Sequence, residues 1–172
     1  RSEFLFLGRN TLPTEEEQFT AYRSVVESMQ GAPVTIRTLD LGADKIPKWR
    51  DEDAENLIQT STHSALGLCG IRLCLSEPQL FKPQLRALLR ASHNGSLAIL
   101  LPMLSTLQEV FQAKQYIAQA KAELKKEHIP FDESILIGGM IETPAAALIS
   151  QHLAKELDFL SIGTNDLVQY TL

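Results

Sequence analysis

The feature that most restricts how this chain folds is its alternation of short apolar runs with longer segments that carry apolar residues at helical spacing. Leu97–Leu101 (LAILL) is apolar throughout, as expected of a strand covered on both faces. Residues 34–39, 135–141 and Phe159–Ile162 read as further strands, and residues 4–7 as the end of another. After Thr14 and the acids Glu15, Glu16 and Glu17, which suit a helix start, Phe19, Tyr22, Val25, Val26 and Met29 recur at helical spacing. Gly31 and Pro33 then stop that helix. More helices are expected at 65–75, 78–91 and 106–126, the last with Leu107, Val110, Phe111, Ile117 and Leu124 facing in. Thr143 and Pro144 open another through 145–156, and one begins at Leu167. Residues 42–64 read as a long loop.

This β-α-β-α(α)-β-α-β-α-β-α order calls for a parallel sheet with helices outside it. An open doubly wound sheet and a (β/α)8 barrel both satisfy it. No glycine-rich phosphate loop follows any strand, which weakens the dinucleotide-binding alternative. A barrel usually needs about 250 residues, so five strands in 172 residues make an incomplete ring. The expected fold class is therefore α/β, an incomplete TIM (β/α)8 barrel.

Composition narrows the function classes. With 16 Lys+Arg against 21 Asp+Glu and 44% hydrophobic residues, the chain is globular rather than disordered. Its formal charge of −5 gives no reason to expect nucleic acid as a partner. No apolar run approaches the roughly 20 residues of a membrane span. The two cysteines, Cys69 and Cys74, lie five apart in a stretch that reads as helical. At about 1.5 Å rise per residue they are too far apart for easy bridging. With no metal-binding spacing between them, they read as thiols in a reducing, cytoplasmic compartment. The chain opens on Arg1 and closes on the start of a helix, so it reads as an excerpt of a longer protein.

The informative polar residues gather at strand ends. Arg37 lies near the end of 34–39, followed by Asp40 and Lys45. Glu142 follows 135–141, and Asn165 and Asp166 follow Phe159–Ile162; Arg1 precedes the first apolar run. In a parallel α/β layout these positions share the face where such folds bind ligands. Two carboxylates with open positions suit Mg²⁺, which keeps waters and accepts substrate oxygens. Arginines suit planar capture of phosphate or carboxylate. The set describes a site for a small phosphorylated acid with a metal, catalysing by charge stabilisation. Each residue also has a plainer role open to it: Asp166 as a helix cap, Arg37 as a partner of Asp40.

Five motifs carry a resemblance: RSEFLF (1–6), LPTEEEQF (12–19), IRTLDLGADK (36–45), IETPAA (141–146) and SIGTNDLVQY (161–170). In this order they resemble the Enzyme I family, the phosphoenolpyruvate–protein phosphotransferases of bacterial sugar phosphotransferase systems. The resemblance implies that residues 1–172 are the middle of the C-terminal phosphoenolpyruvate-binding barrel, about strands 2 to 6. An N-terminal phosphohistidine domain and the last strands would lie outside it. It implies that Arg1 and Arg37 hold the substrate phosphate, that Asn165 hydrogen-bonds its oxygens, and that Glu142 and Asp166 ligate Mg²⁺. The parent would pass the phosphoryl group to a histidine and then to a phosphocarrier protein for sugar uptake. A cysteine on a later strand would help protonate the enolate, and family members commonly form homodimers. Neither the acceptor histidine nor that cysteine matches a residue here, so the 172 residues alone are expected not to turn over.

Two departures stand out. In SALGLCGIR (64–72) Cys69 stands where the family pattern Asn-Pro-x-Leu-Gly-x-Arg-x-x-Arg has its first arginine, and only Arg72 remains. The loop at 46–63 is longer than the family's. A dikinase or phosphoenolpyruvate synthase relative and a degenerate, non-catalytic barrel module are the alternatives.

Overall fold

Four parallel strands in sequential order form the frame of the computed structural model, which describes residues 2–9, 11–42 and 67–172. β1 (Val34–Arg37) pairs with β2 (Leu97–Leu101), β2 with β3 (Leu136–Ile141), and β3 with β4 (Phe159–Ile162). β2 is apolar throughout because it lies between two neighbours and beneath helices on the outer face; Ile99 and Leu101 are fully buried. Among the described strands the order 1-2-3-4 never reverses and shows no switch point of the doubly wound kind. It is the order of consecutive strands in an incomplete (β/α)8 barrel.

The helices begin where their sequence provides caps. In α1 (Glu15–Ser28) the Thr14 hydroxyl accepts from the Glu17 N–H, and the Glu17 carboxylate accepts from the Thr14 N–H at 2.8 Å. Thr106 and Glu109 repeat this reciprocal pair at the start of α4 (Leu107–Lys126). Each such cap contributes about 1 kcal/mol. α2 (Gly70–Ser76) and α3 (Pro78–Ser92) precede β2, and α3 packs between α1 and α4. Leu85, Leu88 and Leu89 of α3 meet Tyr22, Val26, Val110 and Leu124 in one core. A buried polar chain crosses it: Gln84 Nε2 donates to the Tyr22 hydroxyl, which donates to Gln18 Oε1, while Gln84 Oε1 accepts from the Leu39 N–H at the end of β1. α5 (Pro144–Leu148), α6 (Ser150–Glu156) and α7 (Thr164–Thr171) complete the described elements.

Four expectations are corrected. Residues 4–7 are not the end of a strand: Ser2–Leu5 is a 3-10 turn, closed by a Phe6 N–H to Glu3 carbonyl bond of 2.9 Å. The turn buries Phe6 and leaves Phe4 71% exposed. Its polar residues Ser2 and Glu3 are drawn to Arg37, which bends the segment away from an extended path, so the described sheet has four strands rather than five. Cys69 is not helical; it is extended at the entry of α2 and bridges Gly42. The helix expected over 145–156 breaks at Ile149 into α5 and α6, and the final helix starts at Thr164 rather than Leu167. Arg1, Lys45 and most of the long loop (43–64) lie outside the described residues. Among the described residues no helix is long and apolar enough to cross a membrane.

Candidate functional site at the carboxyl ends of the strands

Because all four strands run the same way, their carboxyl ends open onto one face. There the backbone carries Thr38–Asp40 from β1, Met103 from β2, Glu142 from β3, and Gly163 with α7 from β4. The sheet's hydrogen bonding runs on into these ends: the Thr38 N–H reaches the Leu100 carbonyl and the Gly163 N–H the Ile141 carbonyl, each at 3.0 Å.

Glu142 is the centre of the arrangement. It follows the last residue of β3 and precedes Thr143, which caps α5 by accepting from the Ala146 N–H. Pro144 after it disfavours helical backbone at Thr143, and the residue is extended as required. The Thr143 hydroxyl donates to the Leu104 carbonyl at 2.7 Å, and Glu142 Oε1 accepts from the Met103 N–H at 2.6 Å. Two consecutive side chains thus grip the turn after β2, where Met103 takes a left-handed backbone (φ 56°) unusual for a non-glycine residue.

Glu142 is 0% exposed, and its second oxygen, Oε2, is buried with no hydrogen-bond partner among the described residues. Gly163 leaves room for that oxygen: a Cβ there would lie 2.8 Å from Oε2 and 2.7 Å from the Glu142 Cβ. Burial pushes the Glu142 carboxyl up to about 7. The Met103 N–H and Arg37 oppose that rise, while the charges of Asp40 and Asp166 add to it.

Arg37, at the end of β1, is held from two sides. Its Nη2 pairs with Glu3 Oε1, and its Nη1 lies 2.9 Å from Asp40 Oδ2. Nη1 also lies 3.9 Å from the sulfur of Met140. Burial works against the charge of Arg37, but Asp40 and Glu3 outweigh it and hold the guanidinium protonated. The pairing with Asp40 expected of an isolated Arg37 is therefore present, inside a site rather than on a surface.

Asp166 is half-buried in the first turn of α7, within electrostatic reach of Glu142 and Cys69; Asn165 beside it is exposed. Burial, then the charges of Asp40, Glu142 and Asp166, raise the Cys69 thiol against the opposing effect of Arg72. Tyr170, one turn after Asp166, is raised by partial burial and then by Cys69, Asp166 and Asp40, against the opposing effect of Arg72. Of the five candidate residues, Arg37, Glu142 and Asp166 come together, Asn165 sits at the rim, and Arg1 lies outside the described residues.

Sequence reasoning missed Glu3, Met103, Gly163 and Tyr170. Only Glu3 left a signal, an acid directly before the apolar run Phe4–Leu7.

Among the described residues no three His, Cys, Asp or Glu side chains converge to hold a metal by themselves. Glu142, with its buried orphaned oxygen, and Asp166, within electrostatic reach of it, are the residues that could hold a cation such as Mg²⁺, which takes one or two protein carboxylates and fills its other positions with water and substrate.

The family model and the curated relatives match the whole chain. The family model described as PEP-utilising enzyme, PEP-binding domain, matches residues 1–172. The phosphoenolpyruvate-protein phosphotransferase of Priestia megaterium is 49% identical over 172 residues, covering 100% of this chain and 29% of that protein. The protein of the same name from Buchnera aphidicola subsp. Schizaphis graminum is 50% identical over 173 residues, with the same coverage. Among solved structures, a citrate lyase from Burkholderia xenovorans LB400 aligns with a TM-score of 0.45 at 22% identity, covering 53% of this chain and 28% of that one. The chain spans less than a third of the length of the curated relatives it matches.

Proposed function

The chain belongs to the PEP-binding domain family of PEP-utilising enzymes, and from that premise we propose that it is the central part of the barrel of a phosphoenolpyruvate–protein phosphotransferase. The observation that carries the reading is Glu142: a buried carboxylate, fixed by the Met103 N–H, with one oxygen unpartnered among the described residues and Asp166 and Arg37 within electrostatic reach. A buried acid with no use is costly to keep; a cation and an anionic substrate would give it one.

Glu142 and Asp166 would hold Mg²⁺, and Arg37 and Arg1 would take the phosphate of phosphoenolpyruvate, with Asn165 donating to its oxygens. When bound, Mg²⁺ supplies positive charge against the transferring phosphoryl group. The chain's own contribution is to bind, orient and neutralise. Arg37 offers a planar donor array that arrives already charged, and the buried site strengthens each electrostatic contact. No nucleophile is required from these residues, because the acceptor would be a histidine of a separate N-terminal domain, which hands the group to a phosphocarrier protein.

Homodimerisation of the parent and a cytoplasmic location belong to the same reading; neither Cys69 nor Cys74 is in a disulfide, which supports a reducing compartment. Cys69 in the site favours one second reading, a barrel that has lost phosphate affinity.

Incubating the full-length parent with phosphoenolpyruvate and Mg²⁺ separates the two. Pyruvate release with phosphohistidine formation supports the enzyme. No turnover in the wild type, restored by Cys69→Arg, supports the degenerate module. The 172 residues alone are predicted to release no pyruvate, and steady-state release from them would refute that.

A further inference from the structure

Arg37 is useful only if its guanidinium points the right way, and one short segment determines that. The Ser2 hydroxyl donates to the Arg37 carbonyl at 2.7 Å, and Glu3 Oε1 accepts from Arg37 Nη2. The same 3-10 turn therefore fixes both ends of the residue, backbone and side-chain tip. Ser2 and Glu3 are 3% and 7% exposed, in a run whose next four residues are Phe-Leu-Phe-Leu. Stability alone does not account for an acid there. Buried ion pairs are often replaceable by apolar residues without loss, and Glu3 Oε2 is itself buried without a partner among the described residues.

We propose that Glu3 is a positioning residue: with Ser2 it holds the Arg37 guanidinium against Asp40 so that its remaining donors face the anion site at the strand ends. The guanidinium has five N–H donors. Glu3 and Asp40 take one each from Nη2 and Nη1, which leaves donors for a phosphate. Arginine loses much side-chain freedom on binding unless its direction is already set, and the turn sets it before substrate arrives.

The inference deepens the phosphoenolpyruvate reading and rests on it for the identity of the substrate, but the anion site itself is tested independently. In the full-length parent, Glu3→Ala is expected to lower kcat/KM for phosphoenolpyruvate roughly 10- to 100-fold, mainly through KM, since small misplacements of a binding group act on that scale. Glu3→Gln keeps an acceptor oxygen at the same reach and recovers most of the loss. Glu3→Asp keeps the charge but shortens the arm, and recovers less. In an Arg37→Ala background Glu3→Ala has little further effect. Calorimetry with inorganic phosphate follows the same order of variants, whether or not phosphoenolpyruvate is turned over.

Wild-type kinetics and phosphate affinity in Glu3→Ala would overturn the proposal. So would a better recovery by Asp than by Gln, losses that simply multiply in the double variant, or no phosphate binding by the wild type. Absence of phosphoenolpyruvate turnover together with Glu3-dependent phosphate binding would sink the functional reading and leave the positioning role standing.

Discussion

Gly163→Ala is a one-carbon perturbation whose effect can be worked out from the site. The added Cβ would lie 2.7 Å from the Glu142 Cβ, 2.8 Å from its Oε2 and 3.2 Å from the Met140 sulfur. Non-bonded carbons rest at about 3.5–4.0 Å, so Glu142 or the start of α7 must move by about 1 Å. The backbone at Gly163 (φ −93°) is open to alanine, so the penalty is steric. Overpacking of this kind costs about 1–3 kcal/mol. The move falls on a carboxylate already bound to the Met103 N–H, and a shift of about 1 Å in a group of this kind costs up to about 100-fold in rate. The assay is steady-state pyruvate release by the full-length parent over a Mg²⁺ titration, beside thermal unfolding. The expected result is a lower melting temperature, a weaker apparent Mg²⁺ affinity and a reduced rate. Unchanged melting together with a wild-type Mg²⁺ curve would refute the claim that Gly163 makes room for Glu142.

Burial raises the Glu142 carboxyl from its ordinary 4.5 to about 7, so the folded, metal-free protein holds a proton across that window which the unfolded chain has lost. Its contribution to stability is full below about pH 4.5 and falls as pH rises to about 7. Denaturant unfolding at pH 5 and pH 8 should show that fall, reduced in Glu142→Gln; an equal fall in both proteins would contradict the assignment. Tyr22→Phe removes the hydroxyl that joins Gln18 and Gln84 in the buried chain ending at the Leu39 N–H. It should cost about 1–3 kcal/mol in urea denaturation, and an unchanged midpoint would show that the chain contributes nothing.

What the sequence disclosed and what it hid follow from the range of each interaction. The strands at Leu97–Leu101 and Phe159–Ile162, and the helix start at Thr14 with its following acids, are local, so pattern and spacing reveal them. The gathering of Arg37, Glu142 and Asp166 follows from topology, since parallel strands bring their ends to one face. The 3-10 turn at Ser2–Leu5 was hidden because Glu3 answers to a partner 34 positions away, while the apolar residues after it read as strand. Cys69 reads as helical by its neighbours, but its bridge to Gly42 holds it extended outside α2. Gly163 is ordinary in sequence, and only the buried carboxylate beside it gives it meaning.

Calorimetric titration of phosphoenolpyruvate with Mg²⁺ into the full-length parent, run on the wild type, Glu142→Ala and Asp166→Ala, tests the central claim most directly. If the two carboxylates share one cation beside Arg37, both variants lose most of the binding heat seen with the wild type. Heat equal to wild type in either variant would mean that the acids do not hold the metal.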